Sequence, residues 1–280
     1  DPHYLQADPV MQKTAGGADL FIQNGRSLDL WANDVVQHSG NVRIQTSHGR
    51  LTASHECSVL EMPRQISKEW GDIHPEGNPH VWLDPLNLKQ IARNTHGALC
   101  AVDPAGRATY DENLKLFGRE IDEAMFGKEL VEEYGGEFLW RKIRLGKLDD
   151  ALQEDGAAGK LGGWMRKARA LKGVKVLSYH KTYAYFAERF GFHLVAELEE
   201  KPGIAPPPKH LEDLLDLVKR EDVRIILNDV FYPTDAANYV ASKTGAKVLV
   251  VPIDVGGVEG VNSYVALIEY ILDRMVSSLQ

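Results

Sequence analysis

From residue 174 onward the chain alternates short apolar runs with amphipathic stretches, and this alternation restricts the fold more than any other feature. Strands are expected at 174–179, 193–198, 224–228 and 247–252, and helices at 182–190, 208–220, 234–244 and 262–279. Runs such as Val174-Lys175-Val176-Leu177-Ser178-Tyr179 and Lys247-Val248-Leu249-Val250-Val251 are short and rich in β-branched residues, as strands buried on both faces are. Strands separated by helices of this length need crossover connections. The expected sheet is therefore parallel, with helices on both faces, and the fold class is α/β.

The front half is less regular. Ala18-Asp19-Leu20-Phe21-Ile22-Gln23 is an apolar run closed by the turn signal Asn24-Gly25. Ser27 is placed as the cap of an amphipathic helix from Leu28 to Val36, and Val42-Arg43-Ile44 as a further strand. Residues 45–79 are polar and weakly periodic, so an irregular segment is expected there. Pro85 opens a helix to about Val102, and Asp103-Pro104 starts a longer one. Its apolar stripe is Tyr110, Leu114, Phe117, Ile121 and Met125. Glycines break up residues 127–172, which read as a decoration or linker. The resulting organisation is an N-terminal α/β lobe over 1–104, a bridging helix over 105–130, an insertion or linker over 131–172, and a C-terminal α/β lobe over 173–280.

With 280 residues, 44% of them hydrophobic, the chain can bury one large core or two modest ones. A formal net charge of -8 leaves no broad basic surface, so no nucleic-acid partner is expected. No apolar stretch approaches the ~18–20 residues that cross a bilayer. The opening Asp1-Pro2-His3, without an initiator Met, reads as the middle of a longer sequence from which a signal or lipid anchor has been removed. Cys57 and Cys100 are too far apart for a metal knuckle or a redox pair. Two buried free thiols are the plainer reading, and a disulfide is the alternative.

Four residues carry the candidate chemistry. His3 and His80 belong to the front half, His180 and Asp254 to the back half. Each falls where an element ends and a loop begins, and in open α/β sheets ligands bind beyond the carboxyl ends of strands. Two such lobes facing one another would bring all four into one cleft. Three imidazole nitrogens and a carboxylate suit Zn(II) or Mn(II), with Fe(II) ranked behind them, and lack the thiolates that select Cu(I) or a cluster. Taken singly, each residue has a plainer role. Asp254 reads as a turn cap before Gly256-Gly257, His180 as the start of a helix, and Asn78-Pro79 with Asp84-Pro85 as turn chemistry around a buried Val81-Trp82.

Several motifs occur in a shared order: Asp1-Pro2-His3-Tyr4, Leu28-Asp29-Leu30-Trp31 after Asn24-Gly25, and Asn78-Pro79-His80-Val81-Trp82-Leu83-Asp84-Pro85. Tyr110-x-x-Asn113, His180-x-x-Tyr183-x-Tyr185-Phe186-Ala187 and Thr244-Gly245-Ala246-Lys247-Val248 follow. In these the chain resembles the zinc- and manganese-binding substrate-binding proteins of bacterial ABC importers. The resemblance implies two α/β lobes joined by one long helix, with the metal site in the interlobe cleft and His3, His80, His180 and Asp254 as its ligands. It also implies delivery to a membrane permease driven by an ATPase, a monomer, and a periplasmic or lipid-anchored extracellular location. Release would follow docking, when the permease distorts the ligand geometry.

The chain departs from that family in three respects. An opening strand and helix ahead of Asp1 are absent, so the chain is read as truncated. The His-rich acidic loop of many zinc members is missing; in its place stand the scattered His38, His48, His55 and His74, read as solvated loop residues. Residues 127–170 exceed the usual connection. Two other function classes compete: a zinc-dependent hydrolase with a three-His site, and a metal-binding surface adhesin. The hydrolase lacks a His-Glu-x-x-His signature or an evident general base, and Asp254 would fill the position that a catalytic water needs. No enzymatic activity is expected.

Overall fold

The computed structural model describes residues 1–63, 74–199, 201 and 203–280. The chain divides into two compact units whose boundary falls between Gly118 and Arg119.

In the first unit, Asp8 accepts hydrogen bonds from Val10 N and Met11 N, both at 2.8 Å, and so caps α1 (Pro9–Gly16). Strand β1 (Phe21–Gln23) pairs in parallel with β2 (Arg50–Thr52), Ile22 opposite Leu51. Between them, α2 (Ala32–His38) packs Val35 and Val36 against Ala15 and Ile44 in a small core. Asp84 caps α3 (Pro85–Val102) by accepting from Leu86 N at 2.9 Å, and Pro85 takes the first helical position, where its missing N–H costs nothing. A single 3₁₀ turn, Pro104–Gly106, leads into α4 (Arg107–Phe126), the helix that contains the boundary between the units.

Two expectations fail in this unit. Val42-Arg43-Ile44 is a turn, not a strand. Asn41 holds it there, donating through Nδ2 to Ala15 O and Ala18 O at 3.0 and 2.8 Å and accepting from Arg43 N at 3.1 Å. The apolar triplet scored as a strand because Ile44 is fully buried, but it reaches the core from a turn. Ser27 does not cap α2 either. Its φ of 61° is left-handed, whereas a capping residue needs extended backbone, and the helix begins only at Ala32. The segment read as irregular, 45–79, contains β2; its portion at 64–73 lies outside the described residues.

The second unit begins with the remainder of α4. Residues 127–172 fold into α5 (Lys128–Tyr134), α6 (Gly136–Arg144), α7 (Leu148–Glu154) and α8 (Gly163–Ala168), with two short 3₁₀ turns. Trp140 and Trp164 are buried among them, and Trp164 Nε1 donates to Glu269 Oε2 at 2.9 Å. Backbones cross closely at Gly127, where a Cβ would stand 2.9 Å from the Gly162 Cα, so no side chain fits without a shift.

The expected alternation follows: β3 (Lys175–Ser178), α9 (Ala184–Phe190), β4 (His193–Glu197), α10 (Pro208–Glu221), β5 (Ile225–Asp229), α11 (Asp235–Thr244), β6 (Lys247–Val251) and α12 (Tyr264–Ser278). All pairings are parallel, and the sheet order is β4-β3-β5-β6. Every residue of β5 is buried, which explains why this strand reads as a run without polar alternation until Asn228-Asp229. Leu177, Ile226, Leu214, Val218 and Val240 form the core between the sheet and α10 and α11. The chain leaves β3 toward β4 and returns on the opposite side to β5, so the sheet's topological switch point lies between β3 and β5. No described helix is long and apolar enough to cross a membrane.

Candidate metal centre

In the first unit, His3 and His80 are neighbours although 77 positions separate them in the chain; their ring centroids stand 5.2 Å apart. A ring nitrogen of each lies within 4.8 Å of the other. His80 is 1% exposed and sits at the corner between Pro79 and the 3₁₀ turn Val81–Leu83 that precedes α3. Its orientation comes from Asn78, whose Oδ1 accepts from His80 N at 3.0 Å and faces His80 Nδ1 at 2.9 Å. Because that oxygen can only accept, Nδ1 carries the proton and the lone pair falls on Nε2. His3 repeats the device: Asp1 Oδ1 accepts from His3 N at 2.9 Å and from Nδ1 at 2.7 Å. A carboxylate or amide oxygen behind each imidazole fixes tautomer and ring direction, as is usual for histidines that bind metals through Nε2.

His74 also stands beside His3, with ring centroids 5.2 Å apart. Its expected place among solvated loop histidines is therefore corrected, whereas His38, His48 and His55 are exposed.

The second unit presents its own row of groups at the carboxyl edge of the sheet. His180 follows β3, Glu199 follows β4, Asp229 ends β5 and Asp254 follows β6. His180 and Asp229 therefore flank the switch point between β3 and β5. His180 Nδ1 lies 2.8 Å from Glu199 Oε2, and both side chains are almost wholly buried, at 4% and 5% exposed. This is the third imidazole whose Nδ1 faces an oxygen and whose Nε2 lone pair points elsewhere.

Asp229 accepts from Thr182 Oγ1 at 2.8 Å and from the Tyr183 hydroxyl. Burial pushes its pKa up to about 6, while the two hydroxyl donors and the nearby His180 pull it down and Asp254 adds to the rise. The Tyr183 hydroxyl is raised in turn, by its own burial first and the Asp229 charge second. Asp254 is exposed as a residue, but protein atoms around its carboxyl group desolvate it and raise its pKa.

Asp1, Asn78, Glu199 and Asp229 were not singled out by reading the sequence. A signal was available for three of them: Asp1 and Asn78 stand two positions before His3 and His80 in the motifs themselves, and Glu199 is an acidic residue just past Leu198, at the end of an expected strand. The two cysteines are buried free thiols, and burial pushes the Cys57 thiol up to about 11.

The family model for the zinc-uptake complex component A, periplasmic (ZnuA), matches residues 1–125 and 157–278. The chain belongs to that family. The unmatched internal stretch covers α5, α6 and α7. Among curated proteins, the manganese-binding lipoprotein MntA of Halalkalibacterium halodurans is 20% identical over 282 residues, covering 100% of this chain and 78% of that protein. The high-affinity zinc uptake system protein ZnuA of Bacillus subtilis is 22% identical, over 88% of this chain and 66% of that one. For the manganese transporter lipoprotein PsaA of Streptococcus anginosus, 28% identity extends over 48% of this chain and 41% of the relative. The chain thus spans from about two fifths to about four fifths of the length of these relatives.

Solved structures share the fold. The substrate-binding protein FpvC of Pseudomonas aeruginosa, in complex with Mn2+, superposes with a TM-score of 0.72 at 18% identity, covering 100% of this chain and 87% of that one. The laminin-binding adhesin Lmb of Streptococcus agalactiae gives 0.70 at 20% identity, over 100% and 88%.

Proposed function

We propose that this protein captures a divalent transition metal ion, zinc or manganese, outside the cytoplasm and passes it to an ABC-type permease and its ATPase. His3, His80, His180 and Asp254 are the proposed ligands, and the ion is cargo rather than a resident cofactor. One observation carries the reading: each of the three histidines has Nδ1 turned onto an oxygen acceptor, Asp1, Asn78 or Glu199, which leaves Nε2 as the donor nitrogen. Membership of a zinc-uptake family and the presence of a manganese complex among the structural neighbours agree with it.

No bond is made or broken in this function. The protein needs only a set of nitrogen and oxygen donors, deprotonated at neutral pH, whose affinity follows the usual order of divalent metals. Zinc should therefore bind more tightly than manganese in a test tube, whichever ion is carried in the cell. The partners are the permease and its ATPase, and the chain acts as a monomer.

The test is equilibrium dialysis of the full chain against Zn(II) and against Mn(II), beside His80→Ala and Asp254→Ala. Tight binding is expected in the parent chain and weaker Mn(II) binding in both variants. Failure of the parent chain to bind either ion would remove the proposal. Undiminished manganese binding in either variant would remove that residue from the ligand set.

A further inference from the structure

A second set of ligand atoms lies in the first unit, on the corner between α3 and α4. His96 and Cys100 are one helical turn apart on α3 and share a face. Asp111 faces them from α4. The Nε2 of His96 is the meeting point: Asp111 Oδ1 lies 2.6 Å from it and Cys100 Sγ lies 3.6 Å from it. All three atoms fall within 4.8 Å of one another. In a tetrahedral zinc site with Zn–N near 2.0 Å and Zn–S near 2.3 Å, neighbouring ligand atoms stand about 3.5 Å apart. The sulfur is already at that separation, and the carboxylate need only draw back by somewhat under ~1 Å.

The corner is held independently of any ion. Asp103 accepts from Gly106 N at 3.3 Å and from the Tyr110 hydroxyl at 2.7 Å, tying the turn to the start of α4. Gly106 packs so closely on the Tyr110 ring that a Cβ there would stand 2.6 Å from it. Cys100 is 3% exposed, while the side chains of His96 and Asp111 are 20% and 47% exposed, so the thiol is sheltered and the open side of the set faces solvent. On the other side His96 borders an apolar groove of about 370 Å³ lined by Leu88, Ile91, Leu99, Leu114 and Phe117, whose low polarity strengthens charge interactions at its rim.

We propose that His96, Cys100 and Asp111 form a second metal site, selective for zinc over manganese, with water completing the coordination. The thiolate makes the distinction, because a soft sulfur ligand suits Zn(II) and not Mn(II), whereas the nitrogen and oxygen set proposed for the cargo accepts both. On binding, the Cys100 S–H bond breaks, the thiolate donates its electron pair to zinc, and one proton leaves to solvent. His96 shifts its proton from Nε2 to Nδ1, freeing the Nε2 lone pair, and Asp111 exchanges its hydrogen bond for a metal bond. Nothing is oxidised or reduced.

The probe is Co(II), which replaces zinc and gives a near-ultraviolet charge-transfer band only when a thiolate binds it. The full chain should show the band. Cys57→Ser should keep it, since Cys57 is not one of the three, and so should the double variant His80→Ala, Asp254→Ala. Cys100→Ser should abolish it. Asp111→Asn, which alters a half-exposed side chain and leaves the fold intact, should keep the band but shift its midpoint to cobalt concentrations at least about tenfold higher. Zinc dialysis should find one more equivalent than manganese dialysis, and the excess should vanish in Cys100→Ser. Absence of the band in the parent chain, its survival in Cys100→Ser, or equal zinc and manganese stoichiometry would overturn the proposal. The cobalt band does not depend on the cargo ligands, because no thiol is among them, and the loss of the zinc excess in Cys100→Ser separates the second site from any metal preference of the cargo set.

Discussion

Replacing Glu199 with Gln isolates what a buried carboxylate does for an imidazole in front of it. Glu199 Oε2 and His180 Nδ1 are 2.8 Å apart, with side chains 5% and 4% exposed. Gln keeps an acceptor oxygen at nearly the same place, so the tautomer survives; the negative charge does not. Outer partners of metal-bound histidines typically contribute ~10–100-fold in affinity, equivalent to about 1.4–2.8 kcal/mol. Because both ends are removed from solvent, salt screens the interaction little, and the loss should persist at high ionic strength. The assay is competition for Zn(II) and Mn(II) against a chromophoric chelator, with His180→Gln alongside. The expected order of Mn(II) affinity is parent, then Glu199→Gln, then His180→Gln. If His180→Gln loses the ion and Glu199→Gln matches the parent within about twofold, the carboxylate does not tune the ligand and the reasoning fails. If neither variant changes, His180 is not a ligand.

Asn78 plays the same part for His80 through a neutral amide, so Asn78→Ala should weaken Mn(II) binding by about tenfold, measured by the same competition. Protons compete with the ion for the carboxyl group of Asp254, and because its pKa is raised by burial, cargo affinity should begin to fall at a higher pH than an ordinary Asp ligand would give, read by the same competition across an acid titration. A profile that does not move in Asp254→Asn would count against Asp254 as a ligand. Burial holds the Cys57 thiol near a pKa of 11, so it should resist alkylation at mildly alkaline pH in the native protein and react on unfolding, read by mass spectrometry. Trp140→Phe removes the indole that donates to Asp122 Oδ1 at 2.5 Å in a buried setting, and should cost about 1–3 kcal/mol in denaturant unfolding.

The back half was legible because its strands are covered on both faces. Ile225, Ile226 and Leu227 lie wholly inside, and a stretch with apolar residues at successive positions is visible without any knowledge of its neighbours. The front half offered no such runs. Its strands are three residues each, and Arg50-Leu51-Thr52 has a single aliphatic side chain, so only pairing with Phe21-Ile22-Gln23 reveals it as a strand. Val42-Arg43-Ile44 misled for the opposite reason, since apolar residues reach a core from turns as readily as from strands. Among the candidate site residues, the histidines stand at element ends and Asp1 and Asn78 stand within the same motifs, but no local signal pairs Glu199 with His180 or Asp111 with His96. Glu199 meets His180 only because β4 lies beside β3, and Asp111 meets His96 only because the corner at Asp103 folds α4 back on α3. Contacts of that kind depend on rotamers and on elements distant in the chain, which spacing does not encode.

Thr182 and Tyr183 both donate to Asp229, one strand across from the segment that bears His180. The loop after β3 is thereby stapled to the end of β5, and its donor nitrogen inherits the stiffness of a four-stranded sheet. In the proposed ligand set, His180 would meet the ion as a fixed prong, not a tether that can swing to suit it. Size discrimination between cations at this corner then has to come from whichever ligands retain play, and a substitution that loosens the staple, such as Tyr183→Phe, would blur selectivity before it erodes affinity.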